Sequence, residues 1–147
     1  MPRLGWTVRR NKGHEMASIP DNYLDLLQQK KAFANLATIL ADGSPQVTPV
    51  WFDYTNGKVR VNTTKGRVKS RTLKPDAPVA LAIMDPDNPY RYIQIRGRVR
   101  RVTEEGADAH IDQLAKKYLG KDTYPFRQPG EVRVTYEIEP LSASGMG

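Results

Sequence analysis

Asn56-Gly57 lies between two runs that alternate apolar and polar residues, and this dipeptide is the strongest short-range signal for a tight turn between antiparallel strands. After it, residues 58–63 place Val59, Val61 and Thr63 on one face and Lys58, Arg60 and Asn62 on the other. Before it, residues 46–54 carry Val50-Trp51-Phe52 and an internal Pro49, which cannot donate to a ladder and so points to an edge or a bulge. A second turn, Ala41-Asp42-Gly43-Ser44, joins this run to a strand over residues 33–40. Two hairpins in succession commit this half of the chain to antiparallel sheet.

The second half continues the theme. Residues 79–84 are uninterruptedly apolar and predict a strand buried on both faces. Residues 90–102 put Ile93, Ile95, Gly97 and Val99 opposite Tyr92, Gln94, Arg96, Arg98 and Arg100, and the slip at Arg100-Arg101-Val102 predicts a bulge. Residues 131–141 form the last strand, with Val132, Val134, Tyr136 and Ile138 in phase. Helices are predicted over residues 21–30, after Pro20-Asp21, over a short piece following Gly66, and over 104–119, where Ala107, Ile111, Leu114, Ala115 and Tyr118 recur at helical spacing before Gly120. Six strands in hairpins with three helices read as a mainly β protein, a small closed or split barrel, with the helix at 104–119 covering an open end. Residues 16–147 suit one domain. Residues 1–15, with Arg3, Arg9, Arg10 and Lys12 against Glu15, read as a disordered extension, and 142–147 as a small tail.

The net charge of +7 is unevenly placed. No acid occurs between Asp53 and Asp76, while Lys58, Arg60, Lys65, Arg67, Lys69, Arg71 and Lys74 do, interleaved with Thr63, Thr64, Ser70 and Thr72. Cations, hydroxyls and a glycine turn at a helix start are what a phosphate site needs, and Gly66 is expected where backbone approaches a ligand. The plainer alternative is a solvated basic face. Cysteine is absent, which excludes disulfides and thiolate chemistry. His14 and His110 are too far apart for a recognisable metal site, and His110 reads as a partly exposed helix residue. No G-x-S-x-G, Walker or G-x-G-x-x-G motif occurs, and Asp85 and Asp87 fit a turn. No secretory apolar segment is present, so a cytoplasmic location is expected. Chemistry, if any, falls to a bound cofactor.

Taken together, Asp42-Gly43-Ser44-Pro45-Gln46, Pro49-Val50-Trp51-Phe52 and Asn62-Thr63-Thr64-Lys65-Gly66-Arg67-Val68-Lys69-Ser70-Arg71 resemble the pyridoxamine 5′-phosphate oxidase-like split-barrel superfamily, and within it the deazaflavin-dependent reductases that use coenzyme F-420. The resemblance implies a homodimer of six-stranded split barrels with flavin-type sites at the subunit interface. It implies an oxidoreductase that moves a hydride between coenzyme F-420, or alternatively FMN, and a small electrophile such as an enone, quinone or tetrapyrrole. By motif position, Arg67, Lys69 and Arg71 match phosphate cations, with Gly66 in their turn. Asn62, Thr63, Thr64 and Lys65 match the strand end beside the ring, and Pro49, Val50 and Trp51 its lining. Met84 and the Tyr90–Tyr92 region are expected from the partner subunit. Tyr90, Tyr92 and Lys65 are the candidate proton donors, with no catalytic residue assigned. Asn62 and Thr72 depart from the serine and asparagine common in the pattern.

A non-enzyme reading stands beside this one. Arg96, Arg98, Arg100 and Arg101 with Trp51, Tyr90 and Tyr92 have the composition of a barrel that binds single-stranded nucleic acid. Aromatics are few, none lies in residues 55–89, and no nucleic-acid partner is expected.

Overall fold

The computed structural model describes residues 17–147 and the backbone of Trp6–Arg10. Among the described residues eight strands form one antiparallel sheet: β1 (Trp6–Arg10), β2 (Ala34–Ile39), β3 (Pro45–Val50), β4 (Asp53–Thr55), β5 (Lys58–Thr64), β6 (Pro78–Asp85), β7 (Asn88–Thr103) and β8 (Arg133–Met146). The helices are α1 (Leu24–Gln28), α2 (Val68–Thr72) and α3 (Ala107–Leu119). The strand order is β3-β2-β6-β7-β8-β5-β4, with β1 beside β8. Its two ends, β3 and β4, are separated in the chain only by Trp51 and Phe52. A sheet whose ends are joined by two residues has to curl on itself, and the result is a split barrel.

The single strand predicted over 46–54 is therefore two strands with a corner between them. Pro49 lies on the terminal strand β3, opposite Asn35, where a missing N–H interrupts no second ladder. The barrel core is Val59, Val61, Leu81, Ile83, Ile93, Ile95, Val99, Tyr136 and Ile138, with Phe52 turned in from the corner. A 3-10 turn (Asp21–Tyr23) runs into α1, shorter than the helix predicted over 21–30, and Tyr23, Leu26 and Leu27 complete the core. Arg91 ties α1 to the sheet by bridging Asp25 at 2.6 Å and Asp85 at 2.9 Å.

Other expectations change. β6 is not buried on both faces: Val79, Leu81 and Ile83 are inside, whereas Met84 is 47% exposed. The tail at 142–147 belongs to β8, which pairs through Met146 with β7 and β1. Its small residues gave no alternating signal because the strand passes under Tyr23, where a Cβ on Gly145 would stand 2.4 Å from the ring. Trp6–Arg10 is strand rather than loose extension; the remainder of residues 1–15 lies outside the described residues. The bulge at Arg100 is present, since Val99 faces Ile138 and Arg101 faces Glu137. Among the described residues no helix is long and apolar enough to cross a membrane.

Candidate functional site

β5 ends at Thr64, and the chain turns through Gly66, whose φ of +93° is what requires glycine there. Nothing lies within 4 Å of where its Cβ would be, so the close approach expected from the sequence does not occur in the chain itself. Ser70 closes the turn: its Oγ accepts from Gly66 N at 2.9 Å and donates to Arg67 O at 2.7 Å. α2 follows as a helix of five residues. Arg67 at its start and Lys69 within it line the same cleft as Ile111 and Leu114 of α3.

The cleft has a volume of about 310 Å³. Pro49, Val50 and Trp51 form one wall, Asn62 and Thr63 the strand end, and Arg67 and Lys69 the basic rim. Ile111 and Leu114 of α3, Tyr124 and Phe126 of the loop after it, and Arg133 at the start of β8 complete the lining. Seven residues that the sequence singled out thus converge on one site.

The rings are organised around Trp51, which stacks on Tyr118 and meets Tyr124 edge-on at 6.1 Å. Arg133 lies 4.7 Å over the Tyr124 ring and is already neutralised by both oxygens of Glu131, each at 3.1 Å. Arg67 and Lys69 differ: among the described residues neither has a carboxylate partner. Burial, helped by the neighbouring Arg67 charge, holds the Lys69 ammonium below the ordinary lysine value. Two cations facing one cleft, one half-buried and neither compensated, make a site for an anion.

The remaining candidates lie elsewhere. Thr64 is buried beside the cleft, and Lys65 pairs with Glu104 at 2.9 Å. Arg71 lines a separate cavity of about 670 Å³ with Ile39, Val68 and Lys74. Met84, Tyr90 and Tyr92 do not line the cleft; Tyr90 is 73% exposed. Of the arginines on β7, Arg96 is exposed, Arg98 donates to Asp76 O, Arg100 bridges Asp76 and Glu139, and Arg101 stands 4.0 Å from Glu137. His110 is buried, not partly exposed, because α3 lies against β5 and β8.

Sequence reasoning missed Ile111, Leu114, Tyr124, Phe126 and Arg133 as lining. The helical pattern marked Ile111 and Leu114 only as inward-facing, and Tyr124-Pro125-Phe126, two aromatics around a proline in an irregular loop, was the signal for the rest.

The protein is thus a split barrel with an aromatic, cation-rimmed cleft between β5 and its covering helix α3. The family model described as pyridoxamine 5′-phosphate oxidase matches residues 19–145, and the chain belongs to this family of split barrels, in the branch that holds an F-420 reductase. The solved structure of that F-420 reductase is 32% identical, with a TM-score of 0.74 over 85% of this chain and 98% of the other. A protein from Mycobacterium smegmatis that binds FAD and heme shares the fold at 16% identity, with a TM-score of 0.66 over 90% of this chain and 74% of its own. HupZ from Group A Streptococcus shares it at 18% identity, with a TM-score of 0.56 over 83% of this chain and 89% of its own. Among curated proteins none matches significantly.

Proposed function

We propose that the cleft holds a flavin-type redox coenzyme, coenzyme F-420 in preference to FMN, and that the protein is an oxidoreductase acting on a small organic electrophile such as an enone, quinone or tetrapyrrole. The observation that carries this is the pair Arg67 and Lys69, uncompensated and converging on the cleft that Trp51 walls. The donor set fits an anionic coenzyme: the two cations would grip its phosphate-bearing end, and Pro49, Val50 and Trp51 would flank its ring. When bound, the coenzyme supplies the hydride. The chain's part is to orient it and to keep water out with Leu114, Tyr124 and Phe126. The 32% identity to an F-420 reductase supports F-420, as does that coenzyme's larger negative charge beside so basic a segment.

A homodimer belongs to the same reading. Met84, Tyr90, Ile39 and Val47 are large apolar residues left exposed, and a second copy covering them could bring Met84 to its neighbour's site. Titration of the purified apo protein with F-420 and with FMN at matched ionic strength tests the proposal. Tighter binding of F-420, weakening as salt rises, is the expected result. Tighter FMN binding makes this a flavin protein, and no binding of either rejects the assignment.

A further inference from the structure

Asn62 lines the cleft, and its orientation is fixed from behind. Its Nδ2 donates to Ala107 O at 2.9 Å, and a carbonyl oxygen can only accept. The NH2 end of the carboxamide therefore faces α3, and Oδ1 faces Arg133, whose Nη1 is 3.4 Å away. The same Nδ2 lies 3.3 Å from Nδ1 of His110, a ring only 2% exposed. Thr135 Oγ1 is within reach of the same carboxamide nitrogen, at 3.4 Å. The other ring nitrogen, Nε2, is 3.3 Å from Asp53 Oδ2 and makes no well-formed hydrogen bond among the described residues. Thr135 Oγ1, 3.0 Å from Nδ1, braces the ring from β8, and Arg60 holds Asp53 through two bonds at 2.8 and 2.6 Å.

We infer that His110 is a positioning residue for the cleft: its imidazole, braced by Thr135 and backed by Asp53, holds the Asn62 carboxamide in the orientation that a bound ligand meets. The opposite orientation of the carboxamide is unfavourable. Turning it over would bring its NH2 against the Arg133 guanidinium and leave Ala107 O without its donor. The charged groups around the ring are Asp53 on β4, Arg60 on β5, Arg133 on β8 and Lys117 further along α3. Of these, only Asp53 faces an imidazole nitrogen, and its charge is already engaged by Arg60.

The inference rests on the coenzyme cleft proposed above for its consequence but not for its geometry, so its test has two arms. His110→Asn keeps an acceptor where Nδ1 stands, and His110→Leu removes it. In isotopically labelled apo protein, the Asn62 side-chain amide resonances of His110→Asn stay close to those of the wild type, whereas in His110→Leu the amide proton facing the ring shifts and loses protection from exchange while the one bonded to Ala107 O keeps part of its own. Coenzyme affinity stays within about threefold of wild type in His110→Asn and falls by about tenfold in His110→Leu. In an Asn62→Ala background, His110→Leu has no further effect on affinity. Additive losses in that background would mark His110 as merely structural and overturn the inference, as would unchanged Asn62 resonances in His110→Leu. Should His110→Leu not fold, His110→Gln, which shifts the acceptor towards the Nε2 position, is expected to free the Asn62 amide in the same way. If no coenzyme binds, the functional reading fails while the amide resonances still decide this one.

Discussion

Trp51 lies flat on Tyr118, with ring centroids 5.1 Å apart and planes 7° apart. The stack joins the corner between β3 and β4 to the last turn of α3. The Tyr118 hydroxyl secures the joint, donating to Ala32 O at 2.7 Å and accepting Phe52 N–H at 3.2 Å. The contact that closes the barrel thus also sets the cleft wall. Burial drives the Tyr118 hydroxyl pKa up, so it stays a neutral donor.

Tyr118→Phe keeps the stack and removes both hydrogen bonds, leaving the Phe52 N–H and the Ala32 carbonyl short of partners. A loss of about 1–3 kcal/mol in urea unfolding is expected, with little change in the coenzyme Kd of the remaining folded protein. A loss confined to binding would place the hydroxyl in the ligand's path instead.

The basic segment should divide sharply. Arg67→Ala or Lys69→Ala is expected to weaken the preferred coenzyme by about 1.5–3 kcal/mol, and each should lessen the salt dependence. Lys65→Ala, whose ammonium is engaged by Glu104, and Arg71→Ala, which faces a different cavity, should each change binding by less than about 0.5 kcal/mol. Titration calorimetry on the four variants checks the order; equal losses would make the segment a diffuse basic face.

That division marks the limit of what residue order reveals. Turn residues and strand alternation made the hairpins legible, because Asn56-Gly57 and Val59-Val61-Thr63 act locally. The motif spacing also brought Pro49, Trp51, Asn62, Arg67 and Lys69 to one place. What lay beyond reach depends on long-range partners: that Lys65 meets Glu104, that α3 covers Asn62 with His110, and that the strand ladder continues through Ser142-Ala143-Ser144-Gly145. The last can be tested directly. Gly145→Ala drives a methyl into the buried Tyr23 ring and should destabilise by about 1–3 kcal/mol in chemical denaturation, since neither the strand nor the ring has room to move.

Acid should expose the network that anchors α1. Lys30 chiefly, then the Asp87 N–H and Arg91, lowers the Asp85 carboxyl from 3.8 to about 2. Between those values the unfolded chain holds a proton that the folded chain does not, so this contribution is complete above pH 3.8 and fades as pH falls through about 2. Asp85→Asn should lower the melting temperature at neutral pH, by stranding Lys30 and Arg91, and should flatten the acid limb of the profile. An acid limb as steep as that of the wild type would assign it to other carboxylates.

Lys117 has the opposite sign. Its Nζ donates to Phe52 O at 2.8 Å and lies 4.2 Å over the Phe52 ring and 4.9 Å over Tyr118, with no carboxylate in contact among the described residues. Burial depresses its pKa from 10.5 to about 8, although the Asp53 charge works in the other direction. Across that interval the unfolded chain keeps a proton the folded chain has lost, so stability rises with pH from about 8 towards 10.5. Below it both states are charged, and the folded state carries the desolvation cost. Lys117→Met has nearly the same length and no charge to bury. It should stabilise the protein at neutral pH by about 1 kcal/mol, a figure reduced because the side chain is only partly buried, and it should abolish the rise on the alkaline side. Urea unfolding of both proteins at neutral and alkaline pH decides the matter. A Met variant less stable at neutral pH would show that the bond to Phe52 O and the two ring contacts outweigh the buried charge.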